Sequence, residues 1–455
     1  MSTDPESSAP AKQCAPEAQG QPPEFGLDIP SWLALTAGVL AGAAGPAARF
    51  RVLGPAESVT PPSLLMPAES IRLQLLFNRL LQAPRELQEA LLQQSGCLRS
   101  DLLERIQFGD PLAVHQNAPG SSMGVRDYHV SALEELHDST NLSTTRLDAL
   151  QRPMFMLENP AKGISESIVS MCHAGHALIL TALERIMPIA ERQILLRLLS
   201  GTMIERDAKR RKGRLHQVAG SQLQRVQGSA ILRANTNALN AMILDPDLAG
   251  AFVAVIPADS GTIPSVFHPS DSYAEAIRKV IEARRTGALV ACEMLDTVNA
   301  RKFASQHLEF LREIEDARDP ALRAFSSLPM ALAWTLSVLS PDAKQSDDWV
   351  LRHAVPSARK LMRRQQKLLA RLRNEELLAK NARVKARLTR RLNERGPMTR
   401  RELARGLSRQ NISDYGIPLQ ELIDGGLVKA DGGILQLAPS GPTASTRRRP
   451  ANIRC

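Results

Sequence analysis

The sequence predicts an α/β protein: a largely parallel sheet wrapped by helices, then a helical extension, then a small separate module at the carboxyl end. Three observations point there. Short apolar runs alternate with helical patterns between Pro153 and Ala258, and strands alternating with helices imply βαβ units. Residues 272–350 carry helical spacing throughout. Charge is also divided along the chain. Residues 351–455 hold 24 Lys/Arg against 8 Asp/Glu, a net of +16, while the first 350 residues hold 33 against 39, a net of −6. A basic end on a mildly acidic body is the asymmetry of a nucleic-acid contact surface, with a solvated Arg-rich helix as the alternative.

A chain of 455 residues has room for two or three domains. Its 43% apolar and 23% charged content is that of a globular protein, and the 4% aromatic share favours aliphatic, helix-rich packing. Cys14, Cys97, Cys172, Cys292 and Cys455 are scattered and lack CxxC spacing, which fits a reducing cytoplasm and indicates neither a disulfide framework nor a zinc site. Cys172-His173 and His176 lie close together, but no partner pair follows to complete four ligands.

Residues 1–25, rich in Pro, Ala, Ser and Glu, read as a disordered leader without the apolar core of a signal peptide. Ile29 to Ala44 is expected to form a buried helix. The apolar stretch from Trp32 to Ala48 is short for a bilayer and is interrupted by Pro46, so no membrane is expected as a partner. Phe50–Gly54 reads as a short strand. Ser70 to Gln94 has helical spacing, with Pro84 marking a break between two helices. Residues 109–150 read as a polar surface excursion. Pro153–Asn159, His176–Leu183, Ser229–Asn235 and Ala251–Ala258 are the candidate strands of the sheet. Pro356 to Glu394 reads as a long basic helix or helix pair, with Leu361, Leu368, Leu372, Leu377, Val384, Leu388 and Leu392 as its apolar seam.

The carboxyl end is the most legible part. Thr399 and Glu402 form a capping box, each side chain serving the other's backbone N–H. Leu403 and Leu407 give the helix that follows a buried face, and Leu419, Leu422 and Ile423 do the same for a third helix. "LVKADGGILQL" (Leu427–Leu437) is two apolar runs around Asp431-Gly432, a hairpin signal. This order, with Gly396-Pro397-Met398-Thr399 and "LIDGGLV" (Leu422–Val428), resembles the winged helix-turn-helix superfamily. In that superfamily the third helix enters the DNA major groove. Here it holds Asp414, Glu421 and Asp424, and no Lys or Arg lies between Asn411 and Gly426. The resemblance then implies base contacts from Asn411, Tyr415 or Gln420, and phosphate contacts from Arg400, Arg401, Arg405, Arg409 and Lys429. A protein-docking role for the module is the alternative.

The body carries a second resemblance. "PSWLALTAGVLAGAAG" (Pro30–Gly45), "PPSLLMPAESIRLQLLFNRLLQAPRELQEAL" (Pro61–Leu91), "HALILTALERI" (His176–Ile186), "ERDAKRRKGRL" (Glu205–Leu215) and "ILRANTNALNAMILDPDLAGAFVAVIP" (Ile231–Pro257) follow in one order. That order is similar to a family of RecA-like ATPase domains, of the primase-associated kind, carried by phages, plasmids and integrated elements. The resemblance implies a P-loop NTPase-type core over residues 26–270, a helical extension over 271–350 and a basic helix over 351–382. A winged helix over 383–438 and a disordered basic tail over 439–455 complete the chain. In the family, a strand leads into a glycine-rich phosphate loop and a later strand ends in an acidic residue. The corresponding loop here is degenerate. Met66, Glu69 and Ile71 stand where glycines would let backbone N–H groups turn inward on phosphate, and Leu73 stands where a hydroxyl would ligate Mg²⁺. Arg72 keeps a cation, and Glu184 follows the second strand as the candidate acid. The implied protein is a pseudo-ATPase that holds neither ATP nor another cofactor, an accessory DNA-binding protein of a mobile element's replication. Arg210, Arg211, Lys212 and Arg214 offer a second DNA contact, and a homo-oligomer or a replication protein is the further expected partner. An active ATPase or helicase, or a protein-interaction scaffold, are the alternatives.

Overall fold

The computed structural model describes residues 27–107, 154–159, 163–170, 172–206, 222–257, 271–340, 343–405 and 413–438. The expected excursion over 109–150 and the basic run Arg210, Arg211, Lys212 and Arg214 lie outside them, as do Arg409 and Asn411. The chain divides into two compact units, Met1–Lys367 and Leu368–Cys455.

The helices are α1 (Ile29–Ala44), α2 (Ile71–Gln107), α3 (Glu166–Ser170), α4 (Ile189–Ser200), α5 (Thr236–Leu244), α6 (Pro246–Ala249), α7 (Asp271–Thr286), α8 (Thr297–Ala317), α9 (Leu328–Leu339), α10 (Ala343–Trp349), α11 (Val355–Arg395), α12 (Arg400–Arg405) and α13 (Ser413–Asp424). The strands are β1 (Ala48–Arg51), β2 (Glu57–Ser58), β3 (Leu64–Pro67), β4 (Met156–Glu158), β5 (His176–Leu183), β6 (Thr202–Arg206), β7 (Gln222–Ala234), β8 (Val253–Ala254), β9 (Val290–Glu293), β10 (Met398–Thr399), β11 (Val428–Asp431) and β12 (Ile434–Leu437).

The larger unit is built on a parallel sheet in the order β4-β5-β7-β3-β8. β6 lies antiparallel to the first residues of β7, outside that path. The apolar runs form central strands because both faces are covered, and the first five residues of β5 are all buried. Helix α1 covers one face, and its small residues explain how closely. A Cβ on Gly38 would meet Leu64 Cδ1 at 2.5 Å, and one on Gly42 would meet Leu178 Cδ1 at 2.7 Å. Fifteen of its sixteen residues are buried, as befits a helix apolar on every side. The stretches 29–47 and 320–339 are long and apolar enough to cross a bilayer by composition alone; 89% and 56% of them is buried inside the fold.

Both edges of the main sheet are closed by a glutamine side chain. Gln88 of α2 accepts from the Phe155 and Met156 amides at 3.1 and 2.9 Å and donates to Met156 O at 3.1 Å, satisfying the outer side of β4. Gln365 of α11 accepts from the Ala254 amide at 2.7 Å and donates to Ala321 O at 3.0 Å, doing the same for β8. Side chains that occupy edge amides and carbonyls remove a template for strand addition.

A buried arginine ties the amino end of β5 to α1. Arg284, 3% exposed, donates to Ala43 O and His173 O at 2.8 Å each, and to His176 O. The first of these is an orphan carbonyl of α1's last turn, so the guanidinium caps the helix. His176, the first residue of β5, is 5% exposed, and neither ring nitrogen has a hydrogen-bond partner among the described residues. Its ring packs against Gly45, whose φ of +54° and missing Cβ leave it room.

Two expectations are corrected. Pro84 does not separate two helices, because α2 runs through it as one helix. Residues 272–350 are not wholly helical, since β9 pairs in parallel with β1. With β2 antiparallel on its other side, the strand read at Phe50 thus belongs to a second, three-stranded sheet, β2-β1-β9. The long basic helix expected from Pro356 to Glu394 is one helix, α11, from Val355 to Arg395.

In the smaller unit, Val384, Leu388 and Leu392 of α11 pack with Met398, Leu403, Tyr415, Leu419, Leu422, Val428 and Leu435 in one core. The sheet order is β10-β12-β11. Gly432 and Gly433, at φ +56° and +83°, form the two-residue turn between β11 and β12, where both central positions need the left-handed region. The capping box is present: Glu402's amide donates to Thr399 Oγ1 at 3.3 Å, and Thr399's amide to Glu402 Oε2 at 2.8 Å.

Candidate nucleic-acid interface and the carboxyl edge of the sheet

Two places carry the candidate residues, one in each unit. The first is the carboxyl edge of the main sheet. Pro67 of β3, Ala234 of β7 and Leu183 of β5 lie abreast in register. β3 connects through α2 toward β4, whereas β7 connects through α5 and α6 toward β8 on the other side. Right-handed crossovers running in opposite directions lie on opposite faces, so a topological switch point falls between β3 and β7. In open α/β sheets that crevice is where ligands bind. β3 and β5 are separated by one strand, which sets their last residues, Pro67 and Leu183, about 10 Å apart across the edge at the usual strand spacing.

The crevice holds a carboxylate of the chain itself. Glu69 Oε1 accepts from the Thr236 amide at 2.8 Å and from Thr236 Oγ1 at 3.1 Å, at the start of α5. The Thr236 N–H, followed by Glu69's own N–H, holds this carboxyl below its usual range. The rest of the edge is stitched together. Ala68's amide donates to Ala234 O at 2.7 Å, Asn235's amide to Leu183 O at 3.2 Å, and Asn235 Nδ2 to Glu184 O at 2.5 Å. Asn235 Oδ1 also caps α5 by accepting from Ala238's amide at 2.9 Å.

The residues matched to the phosphate loop are redistributed. Met66 and Pro67 belong to β3, and Ile71, Arg72 and Leu73 to α2, leaving only Ala68, Glu69 and Ser70 between strand and helix. Three residues cannot wrap a phosphate as the longer glycine-rich turn does. Leu73 is fully buried in the core, and Gln74 Nε2 donates back to Ala68 O. Glu184 is exposed, and its backbone carbonyl accepts from Asn235 Nδ2.

The second place is the surface of the smaller unit. Arg400, Arg401 and Arg405 of α12 are exposed, as is Lys429 of β11. Arg383, Arg387 and Arg390 of α11 are exposed at helical spacing on one face, and Arg390 pairs with Glu394 at 2.7 Å. Sequence reading identified this helix as basic but did not single out these three; their spacing of four and three was the available signal. Tyr415 is corrected. It is 3% exposed and belongs to the core, so it offers no contact to a base. Gln420 is exposed and donates to Asp424 at 2.8 Å, while Glu421 pairs with Lys385 at 2.7 Å. The exposed face of α13 thus carries Ile417, Gln420, Glu421 and Asp424, an acidic and apolar surface.

A scan against protein-family models finds no match for this chain, and a search of curated proteins finds no relative.

Proposed function

We propose that this protein binds duplex DNA through the phosphate backbone, as a cytoplasmic accessory factor in the replication of a mobile element, and that its larger unit is a RecA-like core without nucleotide chemistry. The observation that carries the core reading is Glu69. Glu69 stands in the turn between β3 and α2, where a phosphate would have to lie, and its carboxylate, held by the start of α5, sets a negative charge there. The parallel sheet, with the strand before Glu69 and the strand before Glu184 one strand apart, supports the RecA-like assignment over an unrelated α/β fold.

The order α11, β10, α12, α13, β11, β12 supports the winged-helix reading of the smaller unit. Its cations lie on α11 and α12 rather than on α13, so contact falls to phosphates and base reading by α13 is weak. Arg383, Arg387, Arg390, Arg400, Arg401 and Arg405 are the proposed contacts, with Lys429 on the hairpin.

Fluorescence anisotropy of the full chain on random duplexes at several salt concentrations tests the proposal. Binding should weaken as salt rises with a log–log slope of about −0.9 per phosphate neutralised. Replacing Arg387, Arg400, Arg401 and Arg405 by Ala should flatten the slope by about three to four units and weaken all sequences alike. A complete lack of duplex binding at low salt refutes the reading and favours a protein-docking module, to which the exposed Ile417 beside Glu421 and Asp424 is suited. Calorimetric titration with Mg-ATP should show no binding; micromolar affinity abolished by Arg72→Ala would restore an active nucleotide site.

A further inference from the structure

The two sheets of the larger unit treat their edges differently. Gln88 and Gln365 close both edges of the main sheet, whereas β9, the outer strand of β2-β1-β9, has no such cover among the described residues. Its register with β1, and the bond from Met294's amide to Arg51 O at 3.0 Å, turn the backbone groups of Val290, Cys292 and Met294 toward β1. Those of Ala291 and Glu293 therefore point outward, and nothing among the described residues pairs with them. This free ladder ends at Leu295, whose amide donates to Asp347 Oδ2 at 2.9 Å. Ala291 and Glu293 are exposed, and two leucines flank the strand, Leu289 and Leu295, each 59% exposed.

A row of unpaired edge N–H and C=O groups is matched by another extended backbone. The residues about Cys292 select which one. Leu289 and Leu295 stand three positions away on either side of it, and Val290 and Met294 two. Two copies of β9 laid antiparallel about a two-fold axis at Cys292 set Leu289 opposite Leu295 of the second copy, and Val290 opposite its Met294. Ala291 and the second copy's Glu293 then exchange N–H···O bonds in both directions, and symmetry repeats the pair. Glu293, whose carboxylate is engaged by Arg51, faces an alanine rather than a charge. An axis at Glu293 would oppose two glutamates, and an axis at Ala291 would set each Glu293 against a leucine.

We infer that β9 pairs with β9 of a second copy of the chain, antiparallel and centred on Cys292, joining the two β2-β1-β9 sheets into one. Each chain contributes the same patch, so the contact closes at two copies. It removes both exposed edges at once and covers the flanking leucines. A ladder this short buries less than the roughly 1,200 Å² of a standard interface, so the dimer separates on dilution.

Sedimentation equilibrium of the full chain, from about 1 to about 100 µM, should show a monomer–dimer equilibrium in the affinity range of small interfaces. Ala291→Pro removes an outward N–H without touching the ladder to β1, and should weaken association at least about tenfold. Leu295→Lys should also weaken it, by setting a charge against Leu289. It replaces the proline variant if circular dichroism or urea denaturation shows that proline disturbs the fold. The register is read separately. Opposed residues of a non-hydrogen-bonded antiparallel pair have Cα atoms about 4.5 Å apart, within disulfide range. Diamide, which takes up the two hydrogens of a thiol pair, should therefore link Cys292 to Cys292 in the dimer, as peptide mapping would show. A chain that stays monomeric over the whole range overturns the proposal and leaves the edge to an unrelated strand. So does a dimer indifferent to both substitutions, or one in which diamide forms no link between the two Cys292 residues.

Discussion

Acidification should destabilise the larger unit through His176. Burial, with the nearby Arg284 charge second, lowers this imidazole's pKa to about 3 from an ordinary 6.5. The folded protein therefore keeps the ring neutral while the unfolded chain protonates it below pH 6.5. A depressed folded pKa gives stability that is intact above the unfolded pKa and lost as pH falls toward the folded one. Between pH 7 and pH 5 the unfolded state gains about 2 kcal/mol from this one proton, and the folded state almost nothing. Urea denaturation of the wild type and of His176→Leu at both pH values isolates the effect from that of the other histidines. The wild type should lose about 2 kcal/mol more than the variant on going to pH 5. The reasoning fails if both lose the same amount, for then His176 either finds a hydrogen-bond partner when charged or is reached by water. The site allows neither outcome easily. Arg284 beside it stays protonated well above neutrality even though burial lowers its pKa to about 10.

Two further substitutions test the packing around the sheet. Gly45→Ala should cost about 1–3 kcal/mol, since it places a side chain at φ +54° with its Cβ 2.8 Å from His176 Nδ1; an unchanged urea midpoint would show that the α1–β5 junction relaxes freely. Gln365→Leu should lower stability by about 1–3 kcal/mol, because it removes the acceptor of the buried Ala254 amide. A loss no larger than that of an exposed glutamine would mean that β8's edge is not closed by this side chain.

Much of the architecture was legible in the residues because local rules set it. The periodicity of Ile29–Ala44, the alternation around His176–Leu183, the Thr399–Glu402 box and the hairpin, read at Asp431-Gly432 and found one residue on at Gly432-Gly433, are all decided within a few residues of themselves. The same rules misread Pro84, because tertiary packing of α2 against the sheet and the edge of β4 outweighs one missing backbone bond. They also missed β9, whose four residues become a strand only when β1, some 240 positions earlier in the chain, is there to pair with it. The candidate sites divide in the same way. The sequence by itself determined that the chain is split in charge, that it lacks the phosphate-loop glycines, and that α13 carries no cation, since these follow from residue type alone. Only the tertiary structure decided that Tyr415 is core rather than surface, and that Glu69 meets Thr236, 167 residues later, at the sheet's switch point. Burial and long-range hydrogen bonds depend on which elements become neighbours, and no local spacing encodes that.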